Sequence, residues 1–241
     1  MGKNPEGDFG LQKNKCFLTA VVLAAGEGRR MNSPVKKQNM EILGESVLSR
    51  AISAFDSHES VDAVVAVVRR EEALKLREML LRRFKKLVAV VDGGECRQES
   101  ARLGFLACPD GTEYVAIHDA ARCLVTPGMI DAVFSAALEH GAASAGRMVT
   151  DTVKRVTPEG RITETLDRAS LFLAATPQIF ERSIYSRALI HSADSLHELT
   201  DDNMLVERIG VSVAAVDTGA ENIKITTAED IALAEYVLKR R

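Results

Sequence analysis

The sequence predicts an α/β fold, a mostly parallel sheet covered by helices on both faces. Short apolar runs such as Phe17 to Leu23 and Val61 to Val68 have the unbroken character of strands buried on both sides. Between them lie segments that are apolar at helical spacing, as in Val47, Leu48, Ala51, Ile52 and Phe55. Polar, glycine-containing clusters fall where the runs end, which is where open parallel sheets bind ligands.

In chain order, Phe17 to Leu23 is the first strand, Ser46 to Phe55 a helix, Val61 to Val68 a strand and Glu71 to Phe84 a helix. Leu87 to Val91 and Tyr114 to Ile117 are further strands, with a helix from Arg97 to Ala107 between them. The next helix starts near Thr126 and runs to about Glu139, with Pro127 at its first position, where a missing N–H costs nothing. From Arg147 to Ser170 the rhythm breaks. Two alternating runs flank Pro158-Glu159-Gly160 and predict a hairpin. An isolated hairpin is marginal in water, so this one must lie on its own body or on a partner subunit. The pattern then resumes with a helix from Glu181 to His191, a helix capped by Thr200 and ending at Ile209, and a strand from Val211 to Val216. Thr226 with Glu229 forms a capping box for the last helix, which runs to about Lys239. The result is a Rossmann-like sheet with a protruding β-hairpin at 147–170.

Composition bounds the function. With 241 residues, 46% hydrophobic and 27% charged, the chain can bury a full core. A net charge of -3 argues against nucleic acid as the main partner, and no apolar run is long enough to cross a membrane. The opening MGKNPEGDFGLQKNK lacks the apolar core of a signal peptide, and residues 1–16 are read as a flexible polar tail before one domain at 17–241. Cys16, Cys96, Cys108 and Cys123 form no CxxC pair, which fits a reducing cytoplasm. Cys123 is read as a small space-filling residue and His118 as a partly buried strand residue.

After the first strand, Ala24, Ala25, Gly26 and Gly28 let a backbone approach an anion closely. Arg29, Arg30, Lys36 and Lys37 then place four cations within nine residues. The combination predicts a polyphosphate seat. It is not a Walker loop, because Gly28-Arg29-Arg30 stands where Gly-Lys-Ser/Thr is needed. Nor is it a dinucleotide fingerprint, since Met31 occupies the place of the third glycine. Three more clusters end strands or precede a helix: Asp92-Gly93-Gly94-Glu95 with Arg97 and Ser100, His118-Asp119-Ala120-Ala121-Arg122, and Glu221-Asn222-Ile223-Lys224. Paired glycines admit a flat base or ribose, and a carboxylate at a strand end can share Mg²⁺ with phosphate oxygens.

In order and spacing, LAAGEGRRM, KKQ, DGGECRQES, HDAAR, DTVKR, TPQ, LTDDN and ENIKIT closely resemble the 2-C-methyl-D-erythritol 4-phosphate cytidylyltransferase family, from about Ala20 to Leu238. The resemblance implies a cytoplasmic nucleotidyltransferase of non-mevalonate isoprenoid biosynthesis that joins CTP to a methylerythritol phosphate. It implies that Arg30, Lys37 and Lys224 stabilise the transition state and that Ala24, Ala25, Gly26, Gly28, Gly94, Glu95 and Ser100 bind CTP. Asp119 would hold Mg²⁺, and Thr152, Arg168, Thr200 and Lys224 would contact the polyol phosphate. The hairpin would be an arm exchanged within a homodimer, carrying Thr152 and Arg168 into the neighbour's site. Ribitol 5-phosphate is the alternative acceptor, and a non-catalytic nucleotide-binding domain the alternative class. The chain departs from the family's usual pattern at Lys36 and Cys123, where proline is usual, and at Glu95, where relatives can carry Asp.

Overall fold

The computed structural model describes residues 17–26 and 40–241. Strand β1 (Leu18–Leu23) lies in the middle of a seven-stranded sheet and is buried along its whole length. On one side it pairs with β4 (Val61–Val68), which pairs with β5 (Leu87–Asp92); on the other it pairs with β6 (Tyr114–Asp119). These pairings are all parallel. Next to β6 come β10 (Phe172–Glu181), β7 (Ala142–Met148) and β11 (Ala214–Asp217). β10 runs antiparallel to both its neighbours, and β11 is parallel to β7. A short hairpin, β2 (Glu41–Ile42) with β3 (Glu45–Ser46), precedes the first helix.

Seven helices cover the sheet among the described residues: α1 (Val47–Asp56), α2 (Arg70–Arg83), α3 (Arg97–Leu106), α4 (Pro127–His140), α5 (Arg182–His191), α6 (Asp202–Glu207) and α7 (Ala228–Lys239). Each strand face finds its own core. Leu18, Ala20 and Val22 join Ile52, Phe55, Val133 and Ala234 from α1, α4 and α7, whereas Val21 and Leu23 join Phe105, Tyr185 and Val206 from α3, α5 and α6. That double burial is why β1 and β4 read as continuous apolar runs. Local caps fix the helix starts: Ser46 accepts from Ser49 N–H at 3.1 Å, and Thr126 Oγ1 from Met129 N–H at 3.3 Å. Gly141, at φ 78°, ends α4 in the left-handed conformation that glycine adopts without strain.

Several expectations need correction. β7 and β10, which flank the predicted hairpin, are full members of the central sheet. Within 147–170 the paired strands are β8 (Lys154–Val156) and β9 (Ile162–Thr165), both exposed throughout. The helix expected from Thr200 is capped by Asp201, whose side chain accepts from Met204 N–H at 3.0 Å, and it ends at Glu207. The last capping box is Thr227 with Asp230, one residue beyond Thr226 and Glu229. His118, expected to be partly buried, is buried completely, whereas the burial of Cys123 agrees with its reading as a small space-filling residue.

Candidate active site

The carboxyl ends of β1, β4, β5 and β6 open into a cavity of about 660 Å³. At one end, backbone and small side chains from two loops meet. Ala24 N–H donates to Val67 C=O at 2.7 Å and Gly93 N–H to Val68 C=O at 2.8 Å, so the loops after β1 and β5 both close onto the end of β4. A side chain on Gly93 would place its Cβ 2.2 Å from Ala25 Cβ, so only glycine permits this approach. Gly94 N–H donates to Ser100 Oγ at 3.1 Å and Glu95 N–H to Glu99 Oε2 at 2.8 Å, folding the loop over the first turn of α3. Of the residues expected to bind a nucleotide, Ala24, Ala25, Gly26, Gly94, Glu95 and Ser100 all line this cavity.

The other end is charged. Asp119, the last residue of β6, receives Arg97 Nε at 2.9 Å on one oxygen and Lys224 Nζ at 2.6 Å on the other. Arg97 reaches past it to Asp202, which is 0% exposed, with Nη1 2.5 Å from Oδ2. Tyr185 OH donates to the second Asp202 oxygen at 2.7 Å. Burial alone would raise the pKa of Asp119, but Arg97 and Lys224 outweigh it and hold the carboxyl well below its usual range. Burial likewise disfavours the Arg97 charge, and Asp202 and Asp119 together keep that guanidinium firmly protonated. Burial and the neighbouring Asp202 push the Tyr185 hydroxyl well above its ordinary value, so it stays a donor. Burial pushes the His118 imidazole down to about 4, which leaves it neutral near pH 7.

An ionised carboxylate at a cavity wall suits a hard cation. Among the described residues no three His, Cys, Asp or Glu side chains gather to form an all-protein cage. Each oxygen of Asp119 has a lone pair beyond the one its cation uses. That donor set fits Mg²⁺, which takes one or two carboxylates and completes its shell with water and substrate phosphates.

The other expected contacts stand elsewhere. Thr200 is exposed and its hydroxyl lies 3.8 Å from Met204 Sδ. Thr152 is exposed between β7 and β8, and Arg168 donates to Thr150 C=O at 2.7 Å; neither lines the cavity. Gly28, Arg30, Lys36 and Lys37 lie outside the described residues. Sequence reasoning passed over Arg97 as a site residue and gave Asp202 no role, although it lies in the LTDDN block. The available signal was an arginine opening a helix at a strand end, beside a cluster already suspected.

The sequence profile of the 2-C-methyl-D-erythritol 4-phosphate cytidylyltransferase family matches residues 18–240. A protein of that name from Pelotomaculum thermopropionicum is 40% identical over 226 residues, covering 93% of this chain and 95% of its own. The Geobacillus kaustophilus protein of the same name is 39% identical over 224 residues, covering 92% and 97%. The crystal structure of 4-diphosphocytidyl-2C-methyl-D-erythritol synthase from Anaerococcus prevotii superposes with a TM-score of 0.82 at 26% identity, over 94% of this chain and 97% of that one. Fold, cavity and kinship agree, and the chain belongs to the 2-C-methyl-D-erythritol 4-phosphate cytidylyltransferase family of nucleotidyl-transferring enzymes.

Proposed function

We propose that the cavity seats CTP with its cytidine between Ala24–Ala25 and Gly93–Ser100, and that Asp119 holds Mg²⁺ against the triphosphate. The acceptor is 2-C-methyl-D-erythritol 4-phosphate. One of its phosphate oxygens attacks the α-phosphorus of CTP, the bond to the β-phosphate bridging oxygen breaks, and pyrophosphate leaves. The product is 4-diphosphocytidyl-2-C-methyl-D-erythritol. The observation that carries this reading is the junction of a glycine-walled pocket with the Arg97–Asp119–Lys224 cluster inside one cavity. Attack brings two anions together, so the protein's work is positioning and charge compensation. Lys224 meets the acceptor phosphate, while Arg97 keeps Asp119 in place. Mg²⁺, when bound, would offset the charge gathering on the phosphates. Arg30 and Lys37 would stabilise the same charge from the basic loop, with Gly26 and Gly28 cradling the phosphates. Thr200 would contact the acceptor.

Pyrophosphate release from CTP, Mg²⁺ and the methylerythritol phosphate tests the reading. Release no greater than that of a Lys37→Ala control overturns it, and direct competition with ribitol 5-phosphate settles which acceptor is preferred. CTP binding without turnover would favour a non-catalytic module.

The second part of the proposal is a cytoplasmic homodimer in which β8 and β9 cross to the neighbour, bringing Thr152 and Arg168 to its acceptor site. Val156 and Ile162 are 58% and 65% exposed on those strands, which fits apolar residues covered by a partner. Lys37→Ala and Arg168→Ala homodimers should each be nearly inactive. Refolded together, about half the dimers are mixed and hold one intact site in two, so roughly a quarter of wild-type activity returns. No recovery, with mixed dimers confirmed by mass, rules out the exchanged arm.

A further inference from the structure

The segment that carries Lys224 is held by Asn222. This residue is 5% exposed and centres a tight turn in which Ile223 N–H donates to Glu221 C=O at 2.9 Å. Its backbone carbonyl accepts from Arg122 Nη1 at 2.8 Å, and its side-chain Nδ2 donates to Thr176 C=O at 2.8 Å. His118 completes a circuit. Asp119 N–H donates to Thr176 Oγ1 at 3.0 Å, and because His118 Nε2 faces a carbonyl that can only accept, the neutral ring's Nδ1 accepts from the Thr176 hydroxyl at 3.2 Å. The imidazole proton then sits on Nε2 and is donated to Arg122 C=O at 3.2 Å. Thr176, His118, Arg122 and Asn222 thus form a closed ring of hydrogen bonds. The ring ties together β6, the loop after it, β10 and the segment before α7. Two residues past Asn222, Lys224 Nζ meets Asp119, and Ile225 N–H donates to Ala121 C=O at 2.8 Å.

His118, Thr176 and Asn222 are all buried, so water competes little for these bonds, and opening one strands a polar group inside the protein. We infer that Asn222 is a positioning residue for the transfer, setting the Lys224 ammonium against Asp119 at the acceptor end of the cavity without touching substrate. The inference rests on the proposed contact between Lys224 and the acceptor phosphate. An ångström of misplacement at such a group can cost about a hundredfold in rate.

The test compares Asn222→Ala with Asn203→Ala in the full chain. Asn203 is also buried, and its Nδ2 donates to Ser144 Oγ at 2.9 Å, outside the hydrogen-bonded ring that holds the Lys224 segment. Both variants should lose stability. Asn222→Ala alone should lower kcat about a hundredfold and raise KM for the acceptor, with KM for CTP unchanged. Asn222→Asp keeps the shape but turns an acceptor toward the Thr176 carbonyl, and should reproduce the pattern if the alanine variant folds poorly. A crystal structure of either variant should show Lys224 withdrawn from Asp119. Equal kinetic losses in the Asn203 and Asn222 variants, or Lys224 still on Asp119, would overturn the inference. Should the wild type fail to turn over this acceptor, the substrate reading falls on its own. The crystal structure still decides whether Asn222 holds Lys224.

Discussion

At one end of the cavity Ala24, Ala25, Gly93 and Gly94 bring backbone and small side chains together, and although Arg69, Arg70 and Glu71 also line the cavity, the geometry there follows from how closely two loops approach. At the other end, Arg97, Asp119 and Lys224 are long or charged side chains whose positions depend on one another and on buried partners behind them, Asp202 and Tyr185. The first end selects by shape and needs little from the rest of the molecule. The second concentrates charge in a partly buried place, where each ion is tolerable only while its partners stay put. A nucleotide needs both: a dry slot for a flat base, and a preorganised field for phosphates whose charge rises in the transition state.

The sharpest way to break the comparison is at the charged end. Asp119→Asn should lower turnover about a hundred- to a thousandfold, measured as pyrophosphate release. Nucleotide binding without added metal should hold or tighten, since the change removes a negative charge beside the phosphates. Turnover near wild type would show that this carboxylate is not the one that matters.

The charged end should also be the one that pH disturbs. Folded His118 has its pKa lowered to about 4, whereas an unfolded histidine titrates near 6.5. Between those values the unfolded chain binds the extra proton, so stability falls as pH drops from about 6.5 to about 4, by about 3 kcal/mol in all. Asp119, depressed by Arg97 and Lys224, keeps its contribution through that window and loses it only at more acid pH. Urea unfolding across this range should therefore give a shallower pH slope for His118→Gln than for wild type. Equal slopes would assign the titration to another group.

At the small-residue end, Gly93→Ala should push the loops after β1 and β5 apart. Its Cβ would sit 2.2 Å from Ala25 and 3.0 Å from Ser100 Oγ. Overpacking of this kind costs about 1–3 kcal/mol, visible in thermal unfolding, with CTP affinity falling as the slot deforms. Gly26→Ala is the mild counterpart: among the described residues, a Cβ there meets nothing within 4 Å. Its stability should match wild type, and any loss of CTP affinity would report contact with the ligand itself. Equal effects from the two glycines would mean that loop approach does not shape the slot.

The sequence by itself determined the frame. The runs Leu18–Leu23 and Val61–Val68 are buried on both faces and cannot be anything but strands in a covered sheet, and Thr126-Pro127 marks a helix start by local chemistry alone. The small residues and the acid at the strand ends were legible for the same reason, since topology sends those ends to one place. Other features needed the folded chain. Ala142–Met148 is an interior strand although it reads AASAGRM, because pairing with β10 and β11 and cover from the helices place it there rather than its own hydrophobicity. Phe172–Glu181 contains Pro177, which in sequence argues against a strand inside a sheet. Thr226 and Thr227 each have a carboxylate three residues on, and packing chose the second pair. Arg97 finds Asp202, and Lys224 finds Asp119, each across 105 residues of chain. Local periodicity shows which segments are strands and helices. It holds no record of which buried charge will face which, because that is decided only when the elements pack and each ion must find a partner away from water.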